Sequence, residues 1–270
     1  MKVHRRVLRL AGRELTVLTL RPGSSARFAT NWFHGTPHVL SDLHGARVLG
    51  RLLWALSYDR HPQTIVLLDR LDPNPFDAEP SLPAVFGVAG RTVLDTAVLR
   101  GLRRALPLRS PSAGTVRLQT HGLDAAVARS RAYGGPPTAE QMRLFAEQDN
   151  QAPMSARATR VAEASGVFVH LAEPELLRTW AVQVARLGDG MRSGMDYAYL
   201  HDGARWPTDV GEVQVFADYR ARVTAARVAR AELLAGRDAP TDPAEIREAV
   251  WRRGAAVRSR RLPPVPAAHA

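Results

Sequence analysis

Thr64-Ile65-Val66-Leu67-Leu68 constrains the fold more than any other stretch of this chain. An unbroken β-branched and aliphatic run has no solvent face, so it reads as a strand covered on both sides, the usual setting of a parallel sheet. The segment before it repeats Leu43, Ala46, Leu49, Leu53 and Leu56 at steps of three and four. That spacing puts one apolar stripe on a helix, with Ser41 or Asp42 placed to cap its first turn. A helix feeding a doubly covered strand is the unit of an α/β fold.

Other segments extend the pattern. Val3–Leu10 and Leu15–Leu20 flank Ala11-Gly12-Arg13-Glu14 and read as a β-hairpin, closed by Arg21-Pro22-Gly23-Ser24. Ala84–Val88, Val116–Thr120, Gly166–Leu171 and Val213–Phe216 read as strands. Val93–Leu106, Leu123–Ala132, a segment capped by Thr138 with Gln141, Ser155–Ala164 and Pro174–Leu187 read as helices. Gly188–Gly203 reads as irregular or a short hairpin. Two basic helices follow. One ends near Ala235, and the other opens on Asp242-Pro243-Ala244-Glu245, an N-cap with proline at the first helical position.

The expected architecture is α/β: a mostly parallel sheet flanked by helices, an N-terminal β-hairpin and extra C-terminal helices. Pro107–Gly114 marks the expected boundary between an N-terminal lobe, residues 1–108, and a second α/β lobe, residues 115–236, possible as one continuous unit. A basic helix at 241–261 and a disordered tail at 262–270 complete the division.

Composition narrows the chemistry. The chain has 270 residues and no cysteine, which excludes disulfides, thiolate nucleophiles and Cys-ligated zinc. Any metal must be held by His, Asp and Glu. No apolar run reaches the length of a membrane helix, and Arg9, Arg13 and Glu14 break up the N-terminal apolar stretch, so a cytoplasmic protein without membrane contact is expected. Net charge is +11 and Lys2 is the only lysine. Residues 1–60 carry ten basic and three acidic side chains, a net +7, and residues 236–270 carry seven and four, a net +3. Localised positive charge points to an anionic partner, either nucleic acid or an acidic protein surface. The candidate contacts are Arg5, Arg6, Arg9 and Arg13 on the hairpin, Arg47 and Arg51 on one helix face, and Arg258, Arg260 and Arg261 at the C-terminal end. Aromatic residues are not interleaved with these clusters, so a stacking platform for single strands is not expected.

Asn31–Gly45 (NWFHGTPHVLSDLHG) holds three of the nine histidines. His34, His38 and Asp42 supply two imidazoles and a carboxylate, a donor set that zinc or iron accepts and a candidate site for a divalent metal cofactor. The competing reading has Asp42 capping the helix and His34 in a turn. His34, His121, His170 and His201 each sit where a strand is expected to end, as does Asp69. In open α/β sheets such positions line a ligand crevice. Asp69, Asp72, Asp77 and Glu79 crowd a turn-rich segment and offer oxygen ligands or simply turns. The chain has no G-x-x-x-x-G-K-[ST], no G-x-G-x-x-G and no G-x-S-x-G. Three functions remain open. The leading one is an accessory protein binding an anionic partner through its basic ends. The alternatives are a metal-assisted phosphoester hydrolase using the His/Asp set, and a structural assembly protein.

Overall fold

The computed structural model describes residues 1–109, 111–132, 159–189, 191, 194–201, 211–236 and 239–261. The helix expected after Thr138 and the tail at 262–270 lie outside the described residues. Eleven strands and six helices are present among the described residues. The strands are β1 (Lys2–Leu10), β2 (Arg13–Thr19), β3 (Phe28–Phe33), β4 (Thr36–Ser41), β5 (Thr64–Leu68), β6 (Ala84–Val88), β7 (Gly114–Arg117), β8 (Thr159–Ala164), β9 (Val167–Ala172), β10 (Met195–Leu200) and β11 (Gly211–Phe216). The helices are α1 (Leu43–Ser57), α2 (Thr96–Ala105), α3 (Leu123–Ala132), α4 (Pro174–Arg186), α5 (Tyr219–Leu234) and α6 (Pro243–Arg261).

The fold is α/β, and its strands form two mixed sheets. The larger has the order β7-β1-β2-β5-β6-β9-β8, the smaller β10-β11-β4-β3. In the larger sheet only β2–β5 and β6–β9 are parallel, and in the smaller only β4–β11. The expected mostly parallel sheet is therefore corrected. Thr64–Leu68 is buried throughout, as its composition requires, but it lies between parallel β2 and antiparallel β6. Full burial comes from cover on both faces of the sheet, and it does not dictate strand direction. Both sheets draw strands from either side of residues 107–114.

The segment read as a helix at Ser155–Ala164 is also corrected. Its described part, Thr159–Ala164, is β8, antiparallel to β9. The cause is local. Ser165 and Gly166 take φ of 55° and 74°, two left-handed residues in succession that fold the chain back in a two-residue hairpin. Ala11-Gly12 (50°, 76°) does the same between β1 and β2, and His34-Gly35 (52°, 77°) between β3 and β4. Met195–Leu200, expected to be irregular or a short hairpin, is an edge strand paired with β11.

One face of the larger sheet buries Leu15, Val17, Ile65, Leu67, Val85 and Val169 against Val98, Leu99 and Leu102 of α2. The opposite face packs on α1, α4 and the inner face of the smaller sheet, a core that includes Phe86, Phe168, Trp180, Val39, Val213 and Val215. α1 crosses α4 closely at Gly50: a Cβ built there would lie 2.8 Å from the Ala181 carbonyl oxygen and 2.8 Å from the Ala185 methyl. Tyr219 and Val223 of α5 cover Ala29, Leu40 and Phe216 on the outer face of the smaller sheet. α6 stacks on α5 through Val250 and Val257 against Ala225 and Ala229.

Candidate functional site

β2 and β5 run parallel in register, Thr16 beside Thr64 through Thr19 beside Leu67, so their carboxyl ends leave the larger sheet on the same edge. Beyond β2 the chain turns through Arg21-Pro22-Gly23-Ser24. Proline sets φ at the second position, Gly23 takes φ of 82°, and the Ser24 N–H donates to the Arg21 carbonyl at 3.1 Å. These are the requirements of a type II turn. Beyond β5 the chain continues as Asp69-Arg70-Leu71-Asp72. The Asp72 N–H donates to the Phe28 carbonyl (2.7 Å), and Ser81 Oγ donates to the Asp72 carbonyl (2.6 Å). Two tethered loops thus enclose a cleft of about 380 Å³. That volume lies within the range of small-molecule sites.

Arg21, Arg27 and Arg70 line the cleft together with Asp69 and Asp72, and Leu20, Ala26 and Leu71 supply apolar surface. Asp72 stands between two cations, 3.8 Å from Arg27 and 4.0 Å from Arg227. Arg21, Arg70 and Asp69 make no salt bridge among the described residues. Burial pushes the Asp69 carboxyl above the usual range, against the opposing pull of its own backbone N–H, of Arg70 and of Arg6. The cleft therefore holds two guanidiniums outside any salt bridge among the described residues, and a partly desolvated carboxyl that accepts from its own backbone N–H and draws on Arg70 at longer range, at the carboxyl ends of parallel strands where α/β sheets place their ligands.

The histidine segment takes another form. Asn31–His38 is the hairpin of β3 and β4, with His34-Gly35 at its tip and Asn31 directly opposite His38. Asp42 lies beyond β4 and caps α1, its Oδ1 accepting from the Gly45 N–H at 2.6 Å. His34, His38 and Asp42 are thus spread over a turn, a strand and a helix cap. Among the described residues no group of three or more His, Asp or Glu side chains is placed to hold a metal ion. His34, His38 and Asp42 therefore form no such group among the described residues. In the Asp72–Glu79 segment, Asn74 Oδ1 and Asp77 Oδ1 hold turns, accepting from Phe76 N–H (2.9 Å) and Glu79 N–H (2.8 Å), while Asp72 and Glu79 face arginines, Glu79 lying 3.1 Å from Arg247.

His38 instead joins a network that crosses the smaller sheet. Glu212 lies beside it on parallel β11, and Gln214 follows on the same face. Gln214 Nε2 donates to Glu212 Oε1 at 2.8 Å, which orients the amide, and lies 3.4 Å from His38 Nδ1. Nδ1 is then the acceptor, and Nε2–H donates to Thr36 Oγ1 at 2.8 Å. Thr36 passes its own proton to the Phe33 carbonyl at 2.9 Å. Glu212 Oε2 stays 3.7 Å from Nε2. The network uses the neutral imidazole, and burial, with a smaller push from His34, lowers its pKa to about 4. Burial raises the Glu212 carboxyl, opposed by the Gln214 hydrogen bond and His34.

The other strand-end candidates do not share one crevice. His170 lies inside β9, stacked on Phe86 at 4.7 Å between the two sheets, with no hydrogen-bond partner on either nitrogen and its pKa lowered by burial to about 3. Its imidazole occupies the space a Cβ on Gly211 would need. His121 precedes α3 and His201 follows β10; their carbonyls accept the indole N–H groups of Trp54 (3.0 Å) and Trp180 (2.9 Å). β3 and β10 are the opposite edge strands of the smaller sheet and run in the same direction, so His34 and His201 lie at the same end of that sheet but on opposite edges. Asp69 belongs to the cleft on the larger sheet.

The arginines expected to form one N-terminal patch are divided by strand alternation. Arg5 and Arg9 lie on one face of β1, where Arg9 approaches Glu14 at 3.6 Å. Arg6 lies on the opposite face, buried, its Nη1 donating to Thr19 Oγ1 at 2.7 Å. Arg13 lies 3.7 Å from Asp95. Arg47 and Arg51 are exposed on α1. Arg258 lies near Arg222 on the α5–α6 pair, its pKa lowered by burial and then by that neighbour. Arg260 is exposed on the last turn of α6, and the Arg261 side chain lies outside the described residues.

Sequence reasoning missed Arg21, Arg27 and Arg70, and missed Glu212 and Gln214 as partners of His38. A signal for the first set was present. Arg-Pro-Gly-Ser and Asp-Arg both follow a strand directly, which puts a cation at each carboxyl end. Comparison with protein-family models, curated proteins and solved structures gives no match.

Proposed function

We propose that this protein is a binding protein for an anionic group, taken up in the arginine-lined cleft at the carboxyl ends of β2 and β5. The observation that carries this reading is the pair Arg21 and Arg70, two cations on one cleft that make no salt bridge among the described residues, Arg70 attracting Asp69 only at longer range. A guanidinium left unpaired in a concave site gains from a phosphate or carboxylate, which it binds bidentately. The excess positive charge of residues 1–60 supports the same reading, because it raises the local concentration of anions around the loops. The cleft suits a small anion or a single charged group better than it suits a nucleic-acid duplex or a broad protein surface, and Arg5 and Arg9 serve at most to attract it.

The test is a melting curve in phosphate and in chloride at matched ionic strength. A ligand that binds only the folded chain raises the melting temperature by mass action. Phosphate is expected to stabilise the wild type and to lose that effect in Arg21→Ala/Arg70→Ala. The reading fails if the double variant is stabilised as much as the wild type, or if the effect is lost only in Arg5→Ala/Arg9→Ala.

A further inference from the structure

The cleft carries charge of both signs that salt bridges pair only in part, and that limits what fills it. Asp72 is engaged by Arg27 and Arg227, whereas Asp69 forms no salt bridge with Arg21 or Arg70 although all three line the same space. A bare anion satisfies the guanidiniums and sets a second negative charge near the Asp69 carboxyl. A ligand with hydroxyl donors on its other end satisfies both, because the partly buried Asp69 carboxyl accepts from its own backbone N–H and its two oxygens keep room for further donors. Leu20, Ala26 and Leu71 add an apolar wall, which a simple oxyanion does not use.

We infer that the cleft is a site for a phosphomonoester of a hydroxylated carbon skeleton, such as a sugar phosphate or a nucleoside monophosphate. This rests on the anion-binding reading and names its ligand class. The phosphate lies toward Arg21 and Arg70, with Arg27 close by, and the hydroxyls donate to Asp69. Two guanidiniums outside any salt bridge, with Arg27 beside them although shared with Asp72, suit a phosphate, which carries close to two negative charges at neutral pH, better than the single charge of a carboxylate. The skeleton lies against Leu20 and Leu71.

Titration calorimetry on the full chain at pH 7.5 separates this inference from the reading beneath it. The probes are inorganic phosphate, ribose 5-phosphate, AMP and glutamate. Wild-type protein is expected to bind ribose 5-phosphate or AMP about tenfold more tightly than inorganic phosphate, one charged hydrogen bond's worth. In Asp69→Asn that preference shrinks to within about threefold, while inorganic phosphate binds as well as before or better because a negative charge has gone. A merely structural role for Asp69 would weaken every probe alike. Equal wild-type affinity for inorganic phosphate and both esters overturns the inference and leaves anion binding standing, as does a preference for glutamate. No binding of phosphate or of either ester overturns the inference and the anion-binding reading together. The wild-type comparison needs no variant, so poor folding of Asp69→Asn leaves the inference open to refutation.

Discussion

The imidazole of His170 makes the protein sensitive to acid, and the size of the effect follows from its surroundings. The side chain is fully buried between the sheets, stacked on Phe86, with neither nitrogen hydrogen-bonded. Its folded pKa of about 3 lies below the ordinary value of 6.5. Between those two values the unfolded chain binds a proton that the folded chain refuses, so stability falls as pH drops through 6.5 and keeps falling toward the folded pKa. At pH 7 the penalty is small; at pH 5 it is on the order of 2 kcal/mol. His38, lowered to about 4, adds a loss of similar size over the same interval. Asp77 acts in the opposite direction. Its carboxyl is raised by burial to about 6, so the folded state binds a proton first and gains on the order of 1 kcal/mol by pH 5. The raised carboxyls of Asp69 and Glu212 act in the same sense as Asp77. His170→Leu isolates the single imidazole from these opposed effects. Removing an unpaired buried donor should stabilise the protein at pH 7 by roughly 1–3 kcal/mol. The advantage should then widen by about 2 kcal/mol between pH 7 and pH 5, on the order of 4–8 °C in melting temperature for a chain of this size. Thermal and urea unfolding of both proteins at several pH values give the comparison directly. Parallel stability curves across that interval would refute the reasoning, since they require an imidazole that titrates alike in the folded and unfolded chains.

Two further substitutions test how the fold is held. Asp42→Ala removes the acceptor of the Gly45 N–H and should cost about 1 kcal/mol in urea unfolding without changing the sheet; a neutral result would show that Asp42 is not the working cap of α1. Gly50→Ala places a methyl against the Ala181 carbonyl and the Ala185 side chain where α1 crosses α4. It should cost on the order of 1–3 kcal/mol even though alanine is the better helix former, and a stabilised variant would mean that this crossing is loose.

Much of the layered plan was legible because it depends on local periodicity. The stripe from Leu43 to Leu56, the doubly buried Thr64–Leu68, the Pro174 helix and the Asp242-Pro243 start of the last helix all appear where the pattern put them. Strand direction was not legible. That β5 pairs with β2 in one sense and with β6 in the other depends on connections outside the strand itself. β8 was lost for a related reason: Thr-Arg-Val-Ala-Glu-Ala favours a helix by composition, yet the two-residue Ser165-Gly166 turn lays it on β9. The same kind of turn at His34-Gly35 explains why His34 and His38 looked like ligands. Four-residue spacing implies a shared face only in a helix, and here it spans a hairpin. One partner of His38, Thr36, is local, but Gln214 lies 176 residues further along the chain, beyond the reach of any local pattern. The cleft shows the same limit. Arg21 and Arg70 are each ordinary turn arginines, and only the parallel pairing of β2 with β5 brings them to one opening.

The central claim is that Arg21 and Arg70 form an oxyanion site, and the most direct measurement is anomalous diffraction from crystals of the full chain soaked in tungstate. An anomalous peak in the cleft between the loops after β2 and β5, displaced by added phosphate, is the predicted result. Peaks confined to the exposed arginines of β1 and α1, with the cleft empty, would contradict the account.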